Sequence, residues 1–461
     1  MSLDKATAGV PPMEQRRTVA WPPIPEGVQV AIVFLPVLLT LLFVAVFAVD
    51  LPIADQWEVV PAVMHMESGH LQWSDIYRQH NEAVMPVSMA VTLLLAKVTH
   101  YDVNAEAFVA FGCLTVGLVV LFAFFRRVQR TVPIPTLAFL PISTIFLGWR
   151  GHEGILWGAG LYINLGLMFL LLTIWAALRA TESPRFVGLA MVMAVLATFS
   201  FGSGLVAWPI GLAVLLFPTQ GRRSPLLLLL WTAAAVASTA TYFHGYAIHR
   251  VPWPTGSGFV LAHPVMAAQY ALVYTGSALG ATPRADAWIN VVLILLFLPA
   301  AWSVVRNAEF RKALLPFAAA LAFLVLTVPP ILLGRLGLGV DQPYYASRYA
   351  AMAALGPVTI YMFLLALACR TVAWRKGLAI GLVVLVVGIV GGYAEGLVYA
   401  WLDHPKKAAC RQVLRDYRSL EDSYLTCFYP DFEVGRRLAF WLDEYHLGVF
   451  RGQSGAPKAK R

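Results

Sequence analysis

Residues 28–86 read VQVAIVFLPVLLTLLFVAVFAVDLPIADQWEVVPAVMHMESGHLQWSDIYRQHNEAVMP, and the change of character at Asp50 decides the fold. Up to Val49 the chain carries no ionisable group and, at about 1.5 Å per residue, is long enough to cross a hydrocarbon layer roughly 30 Å thick. From Asp50 to Pro86 it holds Asp50, Asp55, Glu58, Glu67, Asp75 and Glu82, together with His65, His70, His80 and two tryptophans. A dense polar loop tied directly to an apolar span reads as a site fixed to a membrane scaffold.

Composition extends that reading to the whole chain. Of 461 residues, 59% are hydrophobic and 13% charged, about half the charged fraction of a soluble domain. The runs of about 20 apolar residues are therefore transmembrane helices and not buried core. The formal net charge of +9 requires no nucleic acid, because much of it falls in short turns between spans, as the orientation rule for cytoplasmic loops demands. The 28–49 run follows a polar leader and lacks a small-residue cleavage site, so it reads as an anchor. Four cysteines are too few for a disulfide scaffold or a zinc cluster. Cys113 and Cys369 lie in apolar runs, while Cys410 and Cys427 can pair if their segment faces an oxidising compartment.

Outward from the loop, 86–98 (PVSMAVTLLLAKV) is too short to cross and is laid flat on the outer surface. Residues 105–125 then run inward to Arg126, Arg127 and Arg130. Further spans fall near 133–149, 159–178, 186–200, 204–218, 225–246, 286–305, 313–333, 349–370 and 377–400, with 263–279 as a second surface helix. This is an all-α polytopic membrane protein of about eleven transmembrane helices, with amphipathic surface helices in a first outward loop spanning 50–104. Residues 1–27 are a cytoplasmic lead, 28–400 the transmembrane domain and 401–461 a polar tail. On this count the basic turns Arg126/Arg127/Arg130, Arg179/Arg185, Arg222/Arg223, Arg306/Arg311/Lys312 and Arg370/Arg375/Lys376 share one side. The odd number of spans places the tail outside, in the periplasm of a bacterial inner (plasma) membrane. The tail's own Lys and Arg residues argue the other way.

Asp55-Gln56-Trp57-Glu58 admits two readings that can coexist. Asp55 as helix N-cap with Glu58 in the first turn makes a capping-box-like pair. A carboxylate held just above the membrane can also accept a proton from a sugar hydroxyl. Asp50 is the second choice for that base, with Glu58, His80 and Glu82 as supporting groups. Arg78-Gln79-His80-Asn81-Glu82 suits hydrogen bonding to a polyol, and equally suits a solvated loop. The histidines show no HxxxH or HExxH spacing on a helix face, so no metal site is assigned, although a divalent ion stays open. Arg335 and Arg348 flank the 334–349 loop at membrane boundaries. Ionisable groups there usually have a partner, which for an arginine is a phosphate, the headgroups, or Asp341. The span-end tryptophans are mostly interface anchors, with Trp57 and Trp157 as candidates to stack on sugar rings.

A long first span, an outward loop opening on an acidic motif, flat helices and a second span ending in cytoplasmic arginines resemble the C-type (GT-C) glycosyltransferase superfamily, which includes protein O-mannosyltransferases and aminoarabinose and arabinosyl transferases. At residue level the resemblance rests on Asp55-Gln56-Trp57, with the flat helix, the His80-Asn81-Glu82 block and the late-loop arginines in support. Here D-x-W stands where many members have Asp-Glu or Asp-Gly followed by tyrosine. The resemblance implies inverting transfer of a sugar from a polyprenyl-phosphate donor to a periplasmic glycan or lipid-linked acceptor. Asp55 would act as general base and Arg348, with Arg335, would bind the donor phosphate, without a cofactor. The donor's lipid tail would lie between spans. Two other classes compete. A transporter or flippase of lipid-linked glycans calls for charges at mid-membrane depth and repeated halves. A polysaccharide polymerase or ligase calls for a larger late outward loop.

Overall fold

The computed structural model describes residues 24–217, 225–247 and 251–452. Eight of its helices are long and apolar enough to cross a membrane: Glu26–Phe47, Val103–Gln129, Gly160–Ala180, Pro225–Phe243, Pro283–Arg306, Ala308–Leu338, Ser347–Arg370 and Ala373–Arg415. Strand structure among the described residues is a two-residue hairpin, Gln79–His80 against Ala83–Val84. The chain is an all-α, multi-pass membrane protein.

The other three expected spans consist of shorter pieces, and local chemistry accounts for that. Pro133, Pro135 and Pro141 punctuate the first, which forms a 3-10 turn, Thr136–Phe139, and a helix, Leu140–Phe146, with Pro141 in its first turn; proline supplies no N–H and is tolerated at a helix start but not in its interior. The next two, Phe186–Thr198 and Gly202–Leu216, are separated at Phe199–Phe201. There the backbone of Gly204 lies against the Ala197 carbonyl, where any Cβ would collide. Against about eleven expected spans, eight helices among the described residues have spanning length, with Phe186–Thr198 and Gly202–Leu216 as shorter apolar helices.

The two ends differ in chemistry. At one, ion pairs join Arg126 to Glu26 (2.6 Å), Arg127 and Arg179 to Glu182 (2.8 and 3.2 Å) and Arg370 to Glu309 (3.1 Å). The basic turns expected to share a side meet there, except Arg222 and Arg223, which lie outside the described residues. The opposite end carries the first loop. Between them, the window in Ser347–Arg370 is 94% buried and that in Gly160–Ala180 is 78% buried, so these two form the centre of the bundle and the remainder its lipid-facing ring.

Pro86–Thr99 is a 14-residue helix whose Ser88, Met89, Thr92, Leu93 and Ala96 are buried while Leu94 and Val98 are exposed. Spacing of three and four puts the buried set on one face, as expected of a helix lying on the bundle's end. The 263–279 segment forms a helix over Pro264–Gly276 with Tyr270 and Tyr274 buried.

The last long helix, Ala373–Arg415, has 43 residues and at about 1.5 Å per residue extends roughly 65 Å, well past its apolar part. It leads into a cap shared with the first loop. Trp57, Val60, Val63, Met89, Leu93 and Tyr101 form one apolar cluster with Leu414, Tyr417, Phe428, Leu438, Leu442 and Phe450 of the tail. A disulfide joins Cys410 to Cys427, and the Gly448 N–H donates to the His100 carbonyl (2.8 Å). The tail therefore occupies the same end as the first loop.

Candidate functional site

Asp55 sits in a 3-10 turn, Ala54–Val59, that is fastened from several directions. The Gln56 side chain accepts the Ile53 N–H (3.2 Å) and donates to Glu106 Oε2 (2.8 Å). The Trp157 indole donates to the Ile53 carbonyl (3.0 Å), and the Tyr101 hydroxyl to the Gln56 carbonyl (2.9 Å). Gln56, and not Asp55, thus supplies the cap, and the Asp55 carboxylate points elsewhere. Ala54 adopts φ +46°, a left-handed conformation that costs a non-glycine residue about 1 kcal/mol or more and is held only where surroundings enforce it.

The Gln79–His80 hairpin brings an imidazole to this carboxylate. Asn81 takes φ +50° at its tip, a conformation asparagine tolerates better than most residues. His80 Nε2 lies 3.5 Å from Asp55 Oδ2 and its Nδ1 2.9 Å from Glu58 Oε2. Burial works against a charge on His80, but the hydrogen bonds to Asp55 and Glu58 and their charges more than offset it, and its pKa is pushed up to about 9. Asp55 is held below its ordinary value chiefly by the His80 hydrogen bond, against the effect of burial, with Arg348 and Arg335 adding to the lowering. Near neutral pH the site is an ionised carboxylate braced by an imidazolium.

A cavity of about 580 Å³ opens in front of Asp55, and both arginines line it with Asn81, Glu153 and Trp157. Arg348 Nη1 pairs with Glu153 Oε2 (3.0 Å), so its carboxylate is not Asp341. Arg335 Nη2 pairs with Glu82 Oε2 (2.6 Å). Each guanidinium also lies near an aromatic ring, Trp157 for Arg348 (5.4 Å) and Trp253 for Arg335 (5.9 Å). An arginine has five N–H donors, so one carboxylate partner leaves others to fork onto an anion.

Behind the arginine wall lies a buried ionic network. Arg150, 1% exposed, faces Glu395 (3.6 Å) and stacks on the Tyr344 ring (4.0 Å) while donating to the Tyr344 carbonyl. Glu395 also approaches His152 Nε2 (3.8 Å), and His152 Nδ1 meets Ser347 Oγ (3.4 Å). Ser347 Oγ accepts the Glu153 N–H (3.1 Å). This chain of contacts fixes the 344–348 loop, and with it Arg348. The buried Glu106 and Asp286 fall in the first turns of their helices, so these carboxyl groups also collect at the loop end of the bundle and not at mid-depth.

Other residues singled out from sequence are placed differently. Asp50 is 3% exposed, paired with Arg451 (2.6 Å) and accepting the Val103 N–H (3.2 Å); it ties the tail to the bundle and does not line the cavity. Trp57 is fully buried against Phe428 and Tyr429, so it is a core residue with no face for a sugar. Glu58 and Glu82 reach the site indirectly, through His80 and Arg335. Arg78 donates to the Glu58 carbonyl (2.6 Å) and Gln79 to the Asn81 and Ala247 carbonyls (2.8 and 2.7 Å); both secure the loop.

Sequence reasoning missed Glu153, His152, Gln56, Glu106 and the tail wall of the cavity, Asp403, Lys406, Lys407 and Phe428; it named the Cys410–Cys427 pair but not its place on that wall. The isolated ionic residues of Trp149-Arg150-Gly151-His152-Glu153 were the signal for the first two. Nothing local signals the tail, whose contribution depends on the cap. Among the described residues no group of three or more His, Cys, Asp or Glu is arranged to hold a metal ion. A second hollow, at the basic end, is lined by Arg126, Arg130 and Glu26 among others, with Glu26 already paired to Arg126.

No family model matches the chain, and no curated protein does. Among solved structures the chain is similar to the archaeal oligosaccharyltransferase AglB from Archaeoglobus fulgidus, in complex with an inhibitory peptide and a dolichol-phosphate. The TM-score is 0.42 and the identity 14%, with 94% of this chain and 61% of that one covered. The chain spans about three fifths of that protein's length.

Proposed function

We propose that the chain is a membrane glycosyltransferase of the C type, moving a sugar from a polyprenyl-phosphate donor to a glycan or lipid-linked acceptor on the outer face. One observation carries the reading: a single cavity is lined by an ionised aspartate and by two arginines from a separate part of the chain. Asp55 takes the proton of the acceptor hydroxyl as that oxygen attacks the anomeric carbon. Arg348 and Arg335 neutralise the phosphate as it departs from the opposite face, so the product is inverted. Preorganised cations of this kind commonly supply a large share of catalysis.

His80 and Glu58 position the base. The low pKa of Asp55 keeps it ionised, and an anionic donor phosphate between it and the arginines screens their field and raises its basicity when substrate is bound. The Cys410–Cys427 disulfide supports an oxidising, outward location for this end, and the basic turns at the other end support a cytoplasmic one. Charges gathered at one end also disfavour transport through the bilayer centre.

The test is transfer from a panel of polyprenyl-phosphate hexoses by purified protein. Asp55→Asn is expected to retain donor binding and lose about 10²–10⁴-fold in rate, the range for a positioned base. Arg348→Ala is expected to weaken donor binding. Full turnover in the first variant removes Asp55 from the mechanism, and normal donor affinity in the second returns Arg348 to a structural partner of Glu153.

A further inference from the structure

The cavity has a second cationic wall. Lys406 and Lys407, near the outer end of the Ala373–Arg415 helix, line it together with Cys410 of the same helix. Positions three and four residues apart share a helix face, so both lysines lie on the face that the Cys410–Cys427 disulfide fastens to the cap. Of the four Lys and Arg side chains that line the cavity, three have a carboxylate partner. Arg348 is matched by Glu153, Arg335 by Glu82 and Lys407 by Asp403 (2.7 Å). Lys406, exposed at the cavity wall, has no carboxylate partner among the described residues.

Its depth is informative. Trp401 and Leu402 are the last strongly exposed apolar side chains of the helix, 71% and 57%, and an exposed tryptophan marks a membrane interface. Lys406 lies about 8 Å beyond Trp401 along the axis at ~1.5 Å per residue, just past the exposed apolar part of the helix.

We propose that Lys406 and Lys407 form a second anion subsite, holding a phosphate group on the acceptor. The acceptor is then a phosphate-bearing glycan or glycolipid, and the cavity takes two anions, the donor phosphate at the arginines and the acceptor phosphate at the lysines. This rests on the glycosyltransferase reading for the identity of the first anion.

The experiment uses the full chain in detergent micelles, titrated with polyprenyl monophosphate and read by native mass spectrometry. Wild type is expected to bind two equivalents. K406Q/K407Q loses one, its affinity falling at least tenfold, while K406R/K407R, which keeps the charge, binds as wild type does. If K406Q/K407Q binds like wild type, or if the arginine variant loses the equivalent too, the subsite is overturned. R335Q/R348Q is a separate arm. Loss of the other equivalent there supports the donor site whatever the lysines do, and retention of both equivalents counts against the donor site alone. Hexose 1-phosphate added as competitor identifies the source. Displacement of the lysine-dependent equivalent indicates a soluble phosphate ester as acceptor, and resistance a lipid-anchored one; both results support the phosphate chemistry.

Discussion

The two walls of the cavity are built on different physical principles. The arginine wall belongs to the bundle: Arg348 begins its most buried span, and the contacts from Arg150 through Glu395, His152 and Ser347 to Glu153 lie behind it. The base wall belongs to the cap, a small apolar cluster in water closed by a disulfide. A bundle in lipid gains no hydrophobic driving force between its helices and depends on packing and polar contacts. The cap has that driving force and little area to exploit. The proposed base and its arginines, divided between the two, are sensitive to anything that shifts one piece against the other.

The largest expected effect comes from the cap's centre. Trp57→Ala should cost about 3–5 kcal/mol of cap stability, the usual range for a deleted buried aromatic, and should expose the 50–104 and 401–452 segments to protease while the bundle stays intact. Uniform protection would mean that cap and bundle are one cooperative unit. Next is the disulfide. Cys410→Ser with Cys427→Ser opens a loop of sequence separation 17, a loss of about 3 kcal/mol on the chain-entropy account; thermal unfolding under reducing and oxidising conditions measures it.

A pH titration sharpens the comparison on the base wall alone. The folded pKa of His80 is raised to about 9 from its ordinary value of 6.5. Its contribution is therefore fully present below about 6.5 and is lost as the pH rises through 9. Hydrogen exchange in the Gln79–Val84 hairpin should accelerate over that window in wild type and not in His80→Gln. The smallest effect is expected at Lys97, an exposed side chain paired with the partly covered Glu67 (3.3 Å). Lys97→Ala should change stability by about 0–1 kcal/mol, and a larger change would show that this pair helps to seat the flat helix.

The residues legible in the sequence were those whose chemistry is out of place where they stand. Asp55 in a polar loop after an apolar span, and Arg335 and Arg348 at membrane boundaries, are each unusual within a few residues of context, and all three line one cavity. Glu153 stands in the sequence as one ionic residue of a short turn between apolar runs, and its partner Arg348 is 195 positions away. Asp50 and Trp57 looked like functional residues because a polar or aromatic side chain in a short motif gives no hint of what covers it. Arg451 and Phe428, from the far end of the chain, are what cover them.

The sequence by itself determined the all-helical, many-span architecture, the grouping of most basic turns at one end and the shortness of the 86–98 helix, because hydropathy and charge act residue by residue over windows the length of one element. Only the tertiary structure decided that the tail closes over the first loop, that Gln56 and not Asp55 caps the turn, and that lysines of the last helix share a cavity with Asp55. The first and last of those outcomes depend on contacts between segments hundreds of residues apart, and the cap on Glu106, fifty positions from Gln56; side-chain chemistry read along the chain contains no term for such distances.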